Sequence, residues 1–206
     1  GLLLTDDFAE VPQHLLDEVA SVPCIAVPTT AGTGAEATAN AVLEIPSKQA
    51  KVSLRGRALF PAIALVDPSL LRNAPPNTVL SSGLDAIVQT IESYTSCAAT
   101  PFSDALTRPN ISLGLAALKA VLSGGDDGAW NDMAWVSLTS GIALANSGLG
   151  AAHGAASVLG GRYGAPHGAL CGRLLVPVLR QNLAVAEQGT EIHIRLMECA
   201  SAIAAA

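Results

Sequence analysis

The segment Gly83-Leu-Asp-Ala-Ile-Val-Gln-Thr-Ile-Glu-Ser-Tyr94 carries apolar residues at helical spacing and two polar ones, Asp85 and Gln89, four positions apart. The pattern predicts a helix from about Ser82 to Thr95, with Ser81 or Ser82 as its N-cap. Residues at i and i+4 share a helical face, so Asp85 and Gln89 place two oxygens side by side on a rigid element. By itself such a pair is most often a solvated face. Glu92, one turn further, reads as partly solvated, with support of the pair as the alternative.

Two of the four histidines lie downstream in Gly150-Ala-Ala-His-Gly-Ala-Ala-Ser-Val-Leu-Gly-Gly-Arg-Tyr-Gly-Ala-Pro-His-Gly168. Each of these, His153 and His167, precedes a glycine, which leaves its ring unshielded. Breaks at Gly160-Gly161 and Gly164 are expected to turn the chain back so that the rings converge. Two oxygens and two imidazole nitrogens form a donor set suited to iron(II) or zinc, with a position open for a substrate oxygen. His14 and His193 read as surface helix residues.

On the N-terminal side the grammar is α/β. Leu15 to Ala20 looks like the end of a helix, and Cys24-Ile-Ala-Val-Pro28 like a short strand. A small-residue loop follows, Thr29-Thr-Ala-Gly-Thr-Gly-Ala35. Ala41–Ile45, Lys51–Leu54 and Ala62–Asp67 read as three more strands. Four strands with so little helix between them resemble the end of a larger sheet. Ala74-Pro-Pro76 marks a boundary, giving a partial α/β domain over 1–69 and a helical domain over 70–206. Beyond the central helix, helices are expected at Phe102–Leu122 (kinked at Pro109), Asp132–Asn146, Gly168–Leu183 and Glu191–Ala206. Trp130 and Trp135 read as core, Asp126-Asp127 as a solvated loop, and Arg162 and Arg173 as helix-end residues.

The 206 residues are 50% hydrophobic but only 3% aromatic, are rich in alanine with 19 glycines, and have a positive mean hydropathy of +0.43. That composition suits closely packed helices. No apolar run reaches the roughly 18–20 residues of a membrane span, and no signal peptide is visible. A net charge of −6 without a basic patch argues against nucleic acid. The four cysteines, 24, 97, 171 and 199, form no C-x-x-C pair. They read as buried or half-buried free thiols in a reducing cytoplasm.

The order of these motifs resembles the iron-containing (group III) alcohol dehydrogenases over about Pro23 to Asn182. Pro28-Thr-Thr-Ala-Gly-Thr-Gly-Ala-Glu36 is similar to the family's cofactor loop, Leu65-Val-Asp-Pro68 to the strand closing its first domain, and Gly83–Tyr94 to its metal helix. His153 and Pro166-His167-Gly168 are similar to its two-histidine segment. The resemblance implies an α/β cofactor domain followed by an all-α domain, an architecture shared with glycerol dehydrogenases and dehydroquinate synthases. It implies Asp85, Gln89, His153 and His167 as ligands of Fe(2+) or Zn(2+). Thr29, Thr30, Thr33, Lys51 and Leu70 would line NAD or NADP, and Asn40 and Val42 the substrate pocket. The implied activity is hydride transfer between an alcohol or aldehyde and the nicotinamide, in a cytoplasmic protein that could form a homodimer.

Three features depart from the family pattern. Gln89 stands where histidine is usual, and an amide oxygen is a weaker, harder donor than imidazole. Ser157 occupies a position where many relatives carry a histidine relay; its hydroxyl can pass a proton but cannot store one at neutral pH. A glycine-rich pyrophosphate turn is expected to be missing, as is the C-terminal end, leaving sheet edges uncovered. A non-catalytic remnant or interaction module of the same fold is therefore the alternative expectation.

Overall fold

The computed structural model describes Asp17 and residues 22–45 and 50–206. The expected helix end at Leu15–Ala20, apart from helical Asp17, lies outside the described residues, as does His14.

The four expected strands do not form one sheet. β1 (Ile25–Ala26) pairs in parallel with β4 (Ile63–Ala64), while β2 (Asn40–Ile45) and β3 (Ala50–Arg55) form a separate antiparallel ladder. In that ladder Asn40 stands opposite Arg55 and Ile45 opposite Ala50. The division follows from the intervening sequence. Pro28 has no N–H to continue a ladder, and the loop after it leaves the β1 direction, turning through left-handed Gly34 and a 3-10 turn at Ala35–Ala37. Ile25, Ile63 and Leu65 are 62%, 52% and 54% exposed, so the small parallel pair has uncovered apolar side chains.

The remainder is helical: α1 (Pro76–Tyr94), α2 (Pro101–Leu122), α3 (Asp127–Ser147), α4 (Ala151–Tyr163), α5 (His167–Val185) and α6 (Glu191–Ala205). α1 is the central element, packed on α2, α3 and α5. Every residue from Asp85 to Tyr94 is buried, as expected of a helix surrounded by others. Ala86, Ile87, Val88 and Ile91 form the middle of the main core with Ile111, Met133, Val136, Leu175 and Leu196.

α1 starts six residues earlier than its serines suggest. Pro76 takes the first helical position, where a missing N–H costs nothing and a fixed φ helps. Ser82 instead donates from within the helix to the Val79 carbonyl at 3.3 Å. α2 runs through Pro109 as one helix. Beside the proline, Thr107 donates to the Ser103 carbonyl at 2.8 Å and Asn110 to the Leu106 carbonyl at 2.7 Å. Asp126 is a cap rather than a loop residue, accepting the Ala129 N–H, and so α3 begins five residues before the expected start. Trp135 is 51% exposed, not core, and Cys24 and Cys97 are exposed thiols. The stretch expected to turn at Gly160-Gly161 is helical; only Gly164, at φ +64, breaks it.

α6 is held to the bundle by Arg195, which donates to both Asp104 carboxylate oxygens at 2.7 Å and to the Tyr94 carbonyl at 2.8 Å. Its guanidinium stacks 4.8 Å over the Tyr94 ring, and the Tyr94 hydroxyl donates to Glu198 at 2.5 Å. Burial first, then the hydrogen bond to Glu198, pushes the Tyr94 phenol up to about 12. A folded-state pKa above the unfolded value of about 10 gives stability that is complete below pH ~10 and is lost as pH rises through ~12. A Tyr163→Phe variant retains Tyr94 as its single phenol. Its phenolate absorbance is expected to rise with a midpoint near 12 in the native state; a midpoint near 10 with the fold intact contradicts this assignment.

Candidate metal centre

Asp85 projects from α1 towards the 29–34 loop, α4 and α5, and Gln89 towards the same loop and α3. Both are buried, at 5% and 0% exposure. The Gln89 amide donates to the Thr33 carbonyl at 2.8 Å and to Ser140 Oγ on α3 at 3.0 Å. Those acceptors fix which end of the amide is nitrogen, and they leave Oε1 buried without a hydrogen-bond partner. Thr33 Oγ1 donates to Asp85 Oδ2 at 2.9 Å, so the loop touches both side chains. The loop is seated by a backbone contact between Gly34 and Gly141 of α3, so close that a Cβ on Gly141 would lie 2.3 Å from the Gly34 carbonyl oxygen.

His153 sits in the first turn of α4. Its Nδ1 lies 2.7 Å from Glu92 Oε2, and Glu92 also accepts the N–H groups of Ala152 (2.7 Å) and His153 (3.2 Å). The carboxylate thus caps a helix N-terminus, where free N–H groups and the dipole favour negative charge. With Nδ1–H given to Glu92, Nε2 faces Asp85, 3.3 Å from its Oδ1. Neither of these two atoms makes a hydrogen bond. His167, the first residue of α5, brings Nε2 to 3.7 Å from the same oxygen. The two imidazole rings lie 5.5 Å apart between centroids.

The electrostatics favour positive charge at this point. Burial opposes ionisation of Asp85 and Glu92, yet the nearby His153 imidazole, with the Thr33 hydroxyl on Asp85 and the Ala152 and His153 N–H groups on Glu92, holds both carboxyls below their usual range. Burial likewise opposes charge on His153, but Asp85, Cys171 and Glu92 push its pKa up to about 11. Three buried polar atoms lacking hydrogen-bond partners, Asp85 Oδ1, Gln89 Oε1 and His153 Nε2, are costly unless something binds them. A divalent cation fits this donor set of carboxylate, amide oxygen and imidazoles.

The other expected site residues are placed differently. Thr29 and Thr30 are exposed, and Leu70 is 39% exposed in the 3-10 turn Pro68–Asn73. Asn40 accepts a 2.5 Å hydrogen bond from Ser53 across the hairpin, and Val42 is 59% exposed on the same strand. Lys51 lies on β3 opposite Glu44; its side chain is outside the described residues. Ser157 is exposed and donates back to the His153 carbonyl at 2.9 Å. Two residues matter more than their sequence positions suggested. Glu92 is 4% exposed rather than solvated, and the 85/89/92 spacing on one face was the available signal. Cys171, one turn after His167 in α5, is buried with Sγ 3.6 Å from His167 Nε2; the His-x-x-x-Cys spacing was its signal.

Glu92→Gln is expected to keep the bulk but lose the negative charge that orients His153. Partners of ligand histidines are typically worth about 10–100-fold in metal affinity. Isothermal titration with zinc is expected to show a loss in that range, and an unchanged affinity contradicts the role.

Residues 79–206 match the C-terminal part of the Fe-containing alcohol dehydrogenase family, and residues 2–68 match the iron-containing alcohol dehydrogenases. The chain is 36% identical over 163 residues to a 1-propanol dehydrogenase of Salmonella typhimurium, covering 79% of this chain and 44% of that protein. It is 36% identical over 162 residues to the lactaldehyde reductase of Escherichia coli, covering 79% of this chain and 42% of that one. Among solved structures, the sulfoacetaldehyde reductase of Bifidobacterium kashiwanohense in complex with NAD+ superposes with a TM-score of 0.79 at 30% identity, over 89% of this chain and 51% of its own. The chain thus spans under half the length of these curated relatives. No helix among the described residues is long and apolar enough to cross a membrane. With two matches that between them cover nearly the whole sequence, this chain belongs to the iron-containing alcohol dehydrogenase family.

Proposed function

We propose that the protein is a metal-dependent oxidoreductase that moves a hydride between a small alcohol or aldehyde and NAD or NADP. The observation that carries this reading is the set of buried, unpartnered donor atoms around Asp85 Oδ1. Asp85, Gln89, His153 and His167 would hold Fe(2+) or Zn(2+), which when bound supplies Lewis acidity toward a substrate oxygen. Asp85 contributes the negative charge, and its other oxygen is fixed by Thr33. Glu92 holds the His153 ring with Nε2 inward. Thr33 belongs to the loop assigned to the cofactor, so the same residue ties the cofactor side, residues 1–69, to the metal side, residues 70–206. Ser157 would reach a proton only by leaving its contact with the His153 carbonyl.

The relatives named 1-propanol dehydrogenase and lactaldehyde reductase make short alcohols and aldehydes the first substrates to assay. The test is reduced-nicotinamide oxidation with a panel of short aldehydes, using NADH and NADPH in parallel, after loading with iron(II) or zinc. Metal-dependent turnover with at least one aldehyde is expected. Absence of turnover with both cofactors, together with no thermal shift by either metal, rejects the reading.

A further inference from the structure

The sequence spacing nominates Gln89 as the fourth ligand, but the geometry around Asp85 offers a stronger donor. Cys171 is fully buried on α5. One ligand atom from each of Asp85, His153, His167 and Cys171 can be chosen so that all four lie within 4.8 Å of one another. The two unpartnered atoms Asp85 Oδ1 and His153 Nε2, on residues more than nine-tenths buried, belong to this cluster.

Three of the six separations lie close to the edges of a tetrahedral shell. With metal–N and metal–O distances near 2.0–2.1 Å and metal–S near 2.3 Å, the N···O edges of a tetrahedron are about 3.3 Å and the N···S edges about 3.6 Å. The chain shows 3.3 Å from His153 Nε2 to Asp85 Oδ1, 3.7 Å from His167 Nε2 to that oxygen, and 3.6 Å from His167 Nε2 to Cys171 Sγ. The other candidate donor is the neutral Gln89 oxygen, on an amide oriented by its nitrogen's bonds to Thr33 and Ser140. A thiolate is charged, softer and more strongly binding than an amide oxygen.

Accepting the metal site proposed above, we infer that Cys171 is a further ligand of that ion, joining Asp85, His153 and His167. A sulfur–metal bond forms as the S–H bond breaks, with the proton released to solvent. The set shifts preference toward zinc and cobalt(II) and away from hard ions such as magnesium. It also fills four positions from the protein, so a substrate oxygen would enter as a fifth ligand or in place of the sulfur.

Cobalt(II) titration of the chain tests this independently of turnover, with binding followed by equilibrium dialysis and by absorption. The expected result is a near-ultraviolet thiolate-to-cobalt charge-transfer band that saturates at one equivalent. The band should persist in Cys24→Ser and Cys97→Ser and vanish in Cys171→Ser. The cobalt Kd of Cys171→Ser should rise by at least the roughly tenfold that losing a supporting partner alone costs. Cobalt binding without the band, or a band that survives in Cys171→Ser, overturns the Cys171 assignment and leaves the metal site standing. Failure of the chain to bind cobalt removes both. Should Cys171→Ser not fold, X-ray absorption at the zinc edge of the unmodified protein decides: one sulfur near 2.3 Å is expected, and a shell of only nitrogen and oxygen near 2.0–2.2 Å overturns the assignment.

Discussion

Asp85→Asn is expected to abolish divalent-metal binding while leaving the fold in place. The substitution is isosteric, and the side-chain oxygen that accepts from Thr33 at 2.9 Å can be retained. What disappears is the one carboxylate that both imidazoles approach, at 3.3 and 3.7 Å. A ligand carries more of the affinity than its supporting partners, so the loss should exceed the roughly 100-fold upper end seen for those partners. The readout is thermal. A metal present at about 100 times its Kd stabilises the folded state by ~2.7 kcal/mol. For a chain of this size each kcal/mol raises Tm by about 2–4 °C. The unmodified protein should therefore gain ~5–11 °C on metal addition and Asp85→Asn essentially nothing, with turnover at background. A variant that keeps its metal-induced shift would mean that the cluster does not hold the ion.

Gly168→Ala is expected to be the most destabilising single-methyl change in the helical part. An added Cβ would lie 1.9 Å from the Ser81 carbonyl oxygen, 2.8 Å from the Ser81 carbonyl carbon and 3.0 Å from Asp85 Cβ. The first two contacts are backbone atoms of α1 and cannot move without the helix. Alanine's intrinsic advantage in a helix, ~1 kcal/mol over glycine, is outweighed by overpacking, typically 1–3 kcal/mol and more where backbone must shift. The expected net cost is about 2 kcal/mol or more, or a Tm lower by ~4–8 °C. Because α5 must withdraw from α1 at the residue next to His167, metal affinity should fall with stability. Gly154→Ala is the control: it is also helical, with nothing within 4 Å of its added Cβ, and should be neutral or slightly stabilising. Equal behaviour of the two variants by differential scanning calorimetry contradicts the close α1–α5 approach.

Much of the helical half was legible in the sequence. Apolar periodicity marked α1, α2, α3, α5 and α6, and the 85/89/92 spacing marked the inward polar face of α1. The ends were less legible. A proline at the first helical position moved the start of α1 to Pro76, because local chemistry at N1 outranks the serines at 81 and 82. α4 was hidden because its glycines read as turns. Its helical form depends on partners elsewhere, with Glu92 of α1 capping Ala152 and His153. The four strands were visible one by one, but their division into two small sheets was not, since pairing is non-local and short apolar runs carry no register of their own.

The sequence by itself determined which residue types could share an ion, namely a carboxylate and amide one turn apart and two histidines fourteen residues apart. It could not decide which groups meet. Only the tertiary structure folds α5 back across α1 through the turn at Gly164 and the bare backbone of Gly168. That crossing places Cys171 beside His167 and buries Glu92 behind His153. The physical reason is distance: periodicity fixes neighbours within a helix over a few residues, whereas contacts 61 residues apart in sequence, such as Glu92 with His153, are set by how helix backbones pack.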